Sequence, residues 1–129
     1  MHTGTFFGHP LSCSVGTETL NTISKENLIQ ISSEDGAYFK DELVKHLLPL
    51  KAVKKIRGDG LMLAVEFQSP LQGAQMMELC KKQGLIVLPC GPAADAVSLT
   101  PSLNIGKDLI DRAICGLKSA SQELIKPKV

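Results

Sequence analysis

Apolar residues recur at helical spacing in the first third of the chain. Over residues 10–30 they return every three or four positions, and Pro10 suits the first turn because its missing N–H costs nothing there. A second helix is expected to follow, capped by Ser32 or Ser33 and ended before Pro49, which interrupts helical hydrogen bonding. This segment therefore predicts two consecutive helices.

After residue 50 the apolar period shortens to two. Apolar side chains alternate over residues 61–67, which predicts a strand, and residues 53–57 are its expected partner across a tight turn at 58–60. A third helix is predicted over about 72–83, because Gly84 just past its end is typical of a helix C-terminus. The middle of the chain thus predicts a hairpin followed by a helix.

Two further strands and a helix complete the pattern. GLIVLP (84–89) predicts a short buried strand, AVSLT (96–100) predicts another, and the last helix begins near Gly106 and ends before Pro127. The order predicts an α+β fold in which a small, largely antiparallel sheet packs with about four helices. We expect one domain over 1–129, made of a loop (1–9), a helical segment (10–50) and an α+β unit (51–129).

Charge and composition exclude several function classes. The chain has 14 basic and 13 acidic residues and a formal net charge of +1, so neither nucleic acid nor an anionic membrane is an expected partner. No apolar run approaches the roughly 20 residues that span a bilayer. The N-terminus shows no basic segment followed by an apolar one, which predicts a cytoplasmic location.

The cysteines and the Arg-Gly-Asp tripeptide have ordinary interpretations. The four cysteines contain no CxxC and no spacing with histidine typical of zinc, so we expect free thiols and no metal site. RGDG (57–60) contains the adhesion tripeptide, but it lies between two apolar strands, where glycine's conformational freedom serves a turn. No phosphate-binding glycine motif or nucleophile motif is present, and we expect no catalytic residue within the chain.

One threonine near the N-terminus has a possible chemical role. Thr5 lies between Gly4 and Phe6 in a loop that leads into a helix, where a hydroxyl and a backbone N–H can both meet one anion. Gly4 allows close approach of the backbone, and Phe6 and Phe7 are expected to bury the loop while its polar edge stays exposed. A capping or packing role for Thr5 is the alternative that these residues leave open.

Three motifs carry a resemblance to a known family. HTGTFFGHPLSC (2–13) strongly resembles the segment after the cofactor lysine in class III aminotransferases, the pyridoxal-phosphate enzymes of ornithine and 4-aminobutyrate type. RGDGLM (57–62) resembles that family's Arg-Gly-x-Gly-Leu-Met turn, and SLTPSLNI (98–105) resembles its closing Pro-Pro-Leu-Thr-Ile. In the first motif the matching residues are His2, Thr5, Phe6, Gly8, Pro10, Leu11 and Cys13.

The resemblance implies a role for the loop. In such enzymes the threonine that matches Thr5 reaches across a homodimer interface to the phosphate of the other subunit's pyridoxal 5'-phosphate, and the residue that matches Gly4 helps through its backbone. It also implies the C-terminal small domain of a fold-type I pyridoxal-phosphate transferase. The expected partners are a large domain, a second subunit, and a small amine and keto acid. Thr3 and Ser98 are weaker candidates for the wall of the substrate pocket.

Two departures from the family pattern limit what the chain is expected to do. The Schiff-base lysine of the family precedes the His-x-x-Thr motif, where this chain has only Met1 before His2, so we expect the chain to be inert on its own. Many family members have an arginine where this chain has Ser98, and a hydroxyl does not replace a bidentate guanidinium. The alternative is a freestanding, non-catalytic interaction or regulatory module with the small-domain shape.

Overall fold

The computed structural model describes residues 4–125. In these residues four helices and four strands alternate in an α+β order, as the sequence predicts. The elements are α1 (Pro10–Lys25), α2 (Leu28–Leu47), β1 (Val53–Asp59), β2 (Met62–Phe67), α3 (Gln72–Lys82), β3 (Leu88–Cys90), β4 (Ala96–Leu99) and α4 (Lys107–Leu124).

The four strands form one antiparallel sheet in the order β1-β2-β4-β3. Leu63 of β2 pairs with Leu99 of β4, and Val65 pairs with Val97, so alternate residues of both strands face the same side. Buried residues of α2, α3 and α4 pack against that side and form a single apolar core with it. The other side, which we call the open face of the sheet, is not part of this cluster. The predicted small antiparallel sheet with four helices is confirmed.

A glycine-mediated contact holds the turn of the first hairpin against α2. Gly58 and Gly60 both have positive φ, which side-chain-bearing residues rarely adopt. The predicted turn at 58–60 is displaced, because β1 continues through Asp59 and the turn itself is Gly60–Leu61. Gly36 of α2 lies directly against the backbone of Gly60, where a side chain would collide with it. The Lys40 ammonium donates to the Gly58 carbonyl oxygen at 2.9 Å. The hairpin turn is therefore part of the packed body.

The boundary between the first two helices differs from the prediction. Instead of one helix over 10–30, α1 ends at Lys25 and α2 starts at Leu28, with Asn27 in the left-handed region at a φ of 53°. Ser32 and Ser33, the predicted caps, lie inside α2. The apolar spacing continues across the break, and Asn27, a residue type that tolerates this backbone conformation, separates the two helices there.

The predicted buried strand at 84–89 is wrong in position and in burial. The strand β3 covers only Leu88–Cys90, at the edge of the sheet. Ile86 is 95% exposed and Leu88 is 66% exposed, whereas Val87 is buried. An apolar run of this length looks buried in a sequence, but an edge strand has a neighbour on one side only, so its outer residues stay uncovered within residues 4–125.

Helix α1 contrasts with the other three helices. It spans 16 residues, yet none of them is buried, whereas α2, α3 and α4 each bury several side chains in the core. Leu11 and Val15 are 68% and 59% exposed. The core therefore lies between the sheet and α2–α4, and α1 lies outside it, with Leu11, Val15 and Leu20 exposed and Ile23 half-buried.

Candidate functional site

The loop before α1 consists of two successive turns. The Phe7 N–H donates to the Gly4 carbonyl oxygen at 3.1 Å, and the His9 N–H donates to the Phe6 carbonyl oxygen at 3.1 Å. His9 then caps the helix, because its Nδ1 accepts from the Ser12 N–H at 3.4 Å. The backbone hydrogen bonds of the loop are thus largely local, and they deliver residues 4–8 directly to the N-terminus of α1.

Thr5 is exposed in this loop. Within residues 4–125, neither its hydroxyl nor its N–H has a hydrogen-bond partner. The capping role that the sequence left open is performed by His9 instead. A threonine that neither caps nor packs presents two donors to its surroundings, near the positive end of a helix, which is a donor set that suits a phosphate.

The two phenylalanines do not bury the loop, contrary to the expectation from the sequence. Phe6 is 78% exposed and Phe7 is 68% exposed. The Phe6 ring meets only the edge of the His9 ring, with centroids 6.1 Å apart. The described residues supply no apolar surface for these rings, so the loop presents both its polar and its apolar groups outward.

Local packing does not explain why residue 4 is a glycine. Within the described residues, a Cβ at this position meets only Cε1 of the Phe7 ring, at 4.0 Å, which is an ordinary contact. Nothing within the described residues therefore requires a glycine there. Close approach of an outside group to the backbone is a reason that fits, and the residues present are compatible with a phosphate. Thr3, the third residue singled out in this loop, lies outside the described residues.

Ser98 lies on the open face of the sheet, far along the chain from the loop. In register, it pairs with Ala64 of β2 on one side and Leu88 of β3 on the other, and it is half-buried. Its immediate neighbours in this cross-strand row are therefore an alanine and a leucine. Within residues 4–125, Ser98 and Thr5 share neither a cavity nor a hydrogen bond. Their roles in one site stay predictions.

The open face also carries a charged group that sequence reasoning missed. The Glu66 carboxylate of β2 forms ion pairs with Lys54, whose Nζ lies 2.7 Å away, and with Arg57, whose Nε lies 3.6 Å away. The hydrogen bond from Lys54 lowers the pKa of Glu66, and the same bond raises the pKa of Lys54. A bulge between Val53 and Lys55 shifts the register of β1 at Lys54. Pairing the hairpin residue by residue places Lys55 opposite Glu66, so it indicates opposite charges here but does not predict the contact with Lys54, which depends on the bulge.

The four cysteines differ in exposure, since Cys13 and Cys115 are exposed, Cys90 is half-buried and Cys80 is buried. All four are free, as predicted. Burial raises the pKa of the Cys80 thiol to about 11, so it stays protonated at neutral pH. No group of three or more metal-binding side chains occurs within residues 4–125. None of the helices in that range has the length and apolar content to cross a membrane.

The sequence and structure match proteins of one family. The family description "Aminotransferase class-III" covers residues 1–120. The acetylornithine aminotransferase of Bacillus subtilis is 35% identical over 119 residues, which are 92% of this chain and 30% of that protein. The ornithine aminotransferase of Oceanobacillus iheyensis is 33% identical over 113 residues, 88% of this chain and 27% of that protein.

Solved structures of aminotransferases are also similar to this chain. An (S)-enantioselective omega-transaminase from Thermomicrobium roseum superposes with a TM-score of 0.87 at 29% identity, over 98% of this chain and 30% of that one. The ornithine aminotransferase of Plasmodium yoelii gives a TM-score of 0.86 at 28% identity, over 95% of this chain and 32% of that one. This chain thus spans about 30% of the length of the relatives that it matches. It belongs to the class III aminotransferase family.

Proposed function

We propose that these residues serve as the C-terminal small domain and phosphate-contacting loop of a pyridoxal-phosphate-dependent aminotransferase. The family match over residues 1–120 and the greater length of the relatives support this proposal. The complete enzyme transfers an amino group from an amine or ω-amino acid to a keto acid. The observation that carries the proposal is an exposed Thr5 without a described hydrogen-bond partner, inside the segment that resembles the family's phosphate loop.

The loop contributes binding and orientation. The Thr5 hydroxyl and N–H donate to the cofactor phosphate of a second subunit, and Gly4 allows its own backbone to approach that phosphate. The N-terminus of α1 adds the partial positive charge of a helix end to the same anion. When bound, pyridoxal 5'-phosphate supplies the electron sink for amino transfer. The chain's own part in this function is to hold the phosphate end, which requires a homodimer.

Ser98 contributes to the other end of the substrate site. Its neighbours in the cross-strand row, Ala64 and Leu88, are apolar, and its hydroxyl offers one neutral hydrogen bond. Ser98 itself gives a carboxylate no bidentate charge-assisted partner, although Arg112 lines the same cavity. We therefore expect either that another group of the complete enzyme holds the substrate carboxylate or that the part of the substrate next to Ser98 is uncharged, with Thr3 as a weaker contact.

The proposal is tested with the loop threonine and a matched control. The 129-residue chain is co-produced with the Bacillus subtilis acetylornithine aminotransferase from which the matching stretch is removed. Thr5→Ala should raise the dissociation constant for pyridoxal 5'-phosphate roughly 10-fold or more, because each hydrogen bond to a charged group contributes about 1.5–3 kcal/mol. Thr19→Ala should leave it unchanged, because the Thr19 hydroxyl donates only to the Val15 carbonyl oxygen of its own helix, at 2.9 Å.

Two results contradict the proposal. One is a complex that does not bind the cofactor, and the other is an equal effect of the Thr5 and Thr19 substitutions. The isolated chain gives a further check, since the residue that forms the Schiff base is expected to lie outside it. Mixed with pyridoxal 5'-phosphate, the chain should show no absorbance band of the lysine-bound cofactor and no amino transfer above that of the free cofactor.

A further inference from the structure

His9 joins the loop of residues 4–8 to helix α1 through both its backbone and its side chain. Its N–H donates to the Phe6 carbonyl oxygen at 3.1 Å, which closes the last turn of the loop, and its carbonyl oxygen accepts from the Cys13 N–H at 3.0 Å, which begins the helix. The imidazole Nδ1 accepts from the Ser12 N–H at 3.4 Å and lies 3.2 Å from the Ser12 hydroxyl oxygen. One residue therefore carries the contacts that fix how the loop enters the helix.

A histidine is an unusual side chain for this capping position. Helices are usually capped by serine, threonine, aspartate or asparagine, whose acceptor oxygens do not take up a proton near neutral pH. An imidazole nitrogen does, because histidine changes its charge between about pH 5 and 8. Nδ1 accepts from the Ser12 N–H only while it carries no proton, so the cap requires the neutral ring with its hydrogen on Nε2. The cap of α1 is therefore sensitive to pH, whereas an oxygen cap is not.

Protonation of His9 opposes capping in two ways. It turns Nδ1 from an acceptor into a donor, which leaves the Ser12 N–H without this partner. It also adds a positive charge at the N-terminus of α1, where the helix dipole is already positive. The protonated ring can still donate to the Ser12 hydroxyl oxygen at 3.2 Å. The contact that is lost is therefore the one with the backbone of the first turn.

The surroundings of His9 do not compensate for this loss within residues 4–125. The ring contacts Ser12 by hydrogen bonding and Phe6 by aromatic packing, and it forms no ion pair in that range. The first turn of α1 contains no acidic residue. Because α1 also buries none of its residues, tertiary packing does not hold its first turn in place, and local capping matters more than in a packed helix.

We propose that His9 is a pH-sensitive cap of α1, which fixes the loop of residues 4–8 to the helix when the ring is neutral and releases it when the ring is protonated. The cap is formed at about pH 8 and is lost as the pH falls toward about 5. Thr5 lies in the released segment, so mild acid loosens the donors that it presents. The cap does not rest on the proposed function, although its consequence for a phosphate does.

Nuclear magnetic resonance of the complete 129-residue chain tests the cap directly. Between about pH 8 and 5 the Ser12 amide proton should shift with the same midpoint as the ring protons of His9. Its exchange with water, corrected for the intrinsic effect of pH, should become roughly fivefold faster, the size of effect expected when an N-cap is lost. The heteronuclear Overhauser effect of residues 5–7 should fall over the same range, because the loop gains motion.

His9→Asn is the matched variant, because asparagine caps a helix through an oxygen that does not titrate. It should keep the Ser12 amide protected throughout the pH range and abolish the midpoint. His2→Gln and His46→Gln remove the other two histidines of the chain, the second of which pairs with Glu42 of α2. Both should leave the titration of the Ser12 amide unchanged.

Three outcomes contradict the inference. The first is a Ser12 amide that exchanges at about pH 8 as fast as in an unstructured peptide, since the cap then does not form. The second is a pH dependence that persists unchanged in His9→Asn, and the third is a titration of Ser12 without any change in the mobility of residues 5–7. None of these measurements uses pyridoxal 5'-phosphate. Their failure therefore leaves the proposed phosphate contact of Thr5 intact, and a complex that does not bind the cofactor leaves the cap intact.

Discussion

Helices α1 and α2 are consecutive and similar in length, yet they are used in opposite ways. In α2, Phe39, Leu43 and Leu47 are buried and join the core, whereas no residue of α1 is buried. An isolated helix of this length is marginal in water. The difference teaches that the body folds around its own core, while the apolar residues of α1 and its loop are free for contacts with other polypeptides.

The largest expected effect comes from comparing a leucine of α2 with a leucine of α1. Leu43→Ala should lower the free energy of unfolding by about 3–5 kcal/mol, because it leaves a cavity in the core. Leu11→Ala removes the same atoms from a 68% exposed position and should cost less than about 0.5 kcal/mol. Urea denaturation of both variants gives the two values. Similar losses would mean that α1 is part of the same packed unit.

Alanine substitutions of two glycines, one in each helix, should change the free energy of unfolding in opposite directions. Gly36→Ala in α2 should destabilise the fold by roughly 1–3 kcal/mol, because the added methyl group collides with the Gly60 backbone. Gly16→Ala in α1 meets nothing within 4 Å and should stabilise the helix by up to about 1 kcal/mol. Thermal unfolding of the pair measures both shifts. A loss of stability in Gly16→Ala would reveal packing around α1 that the structure does not show.

The uncovered face of α1 also predicts self-association of the isolated chain. Phe6, Phe7, Leu11 and Val15 are all more than half exposed, and apolar groups of this kind associate as concentration rises. Sedimentation velocity over a range of concentrations should detect it. Val15→Glu should weaken the association several-fold, and Val44→Glu, on α2, should not. A chain that stays monomeric at high concentration would contradict this prediction.

The smallest expected effect concerns the charged group on the open face. Because Lys54 lowers the pKa of Glu66 in the folded chain, the ionised carboxylate stabilises the fold at pH values above the ordinary carboxyl pKa of about 4. This contribution is lost as the pH falls through the lower pKa of the folded state. The difference in free energy of unfolding between the wild type and Glu66→Gln should therefore shrink in acid.

Lys54→Met provides the control for the pH measurement, because it removes the partner and should abolish most of the same pH-dependent difference. Salt should reduce the difference in the wild type, since the pair is partly exposed. A difference that is constant from neutral to acid pH would show that the ion pair does not stabilise the fold.

Much of the body could be predicted from the sequence because its signals are local. The alternation over residues 61–67 predicts the second strand of the first hairpin, and Gly60 lies in its turn, although that turn is displaced from the predicted 58–60. Pro49 lies just past the end of α2 as expected. The break at Asn27 was not predicted, because the apolar spacing continues through it and the helix is interrupted by the left-handed conformation of one residue. Local signals therefore located the elements better than the joints between them.

Burial and side-chain partners were harder to predict. The exposure of Ile86 and Leu88 depends on which strand lies at the sheet edge, and this follows from the order β1-β2-β4-β3. The contact of Lys54 with Glu66 depends on a bulge that shifts the register. Thr5 is exposed and has no hydrogen-bond partner within residues 4–125, which its sequence neighbours did not predict. Its proposed role in phosphate binding comes from the family resemblance. Long-range pairing decides these features, and a single sequence records it only weakly.

Asn27 has a mechanical consequence for the proposed phosphate contact. Only Glu26 and Asn27 separate α1 from the packed body, and α1 buries none of its 16 residues. A helix of that length is a lever arm of about 24 Å, so a rotation of about 10° at the joint displaces its far end by about 4 Å. That displacement exceeds the length of a hydrogen bond. Accurate placement of Thr5 on an anion therefore requires a neighbouring polypeptide to clamp α1 along its length.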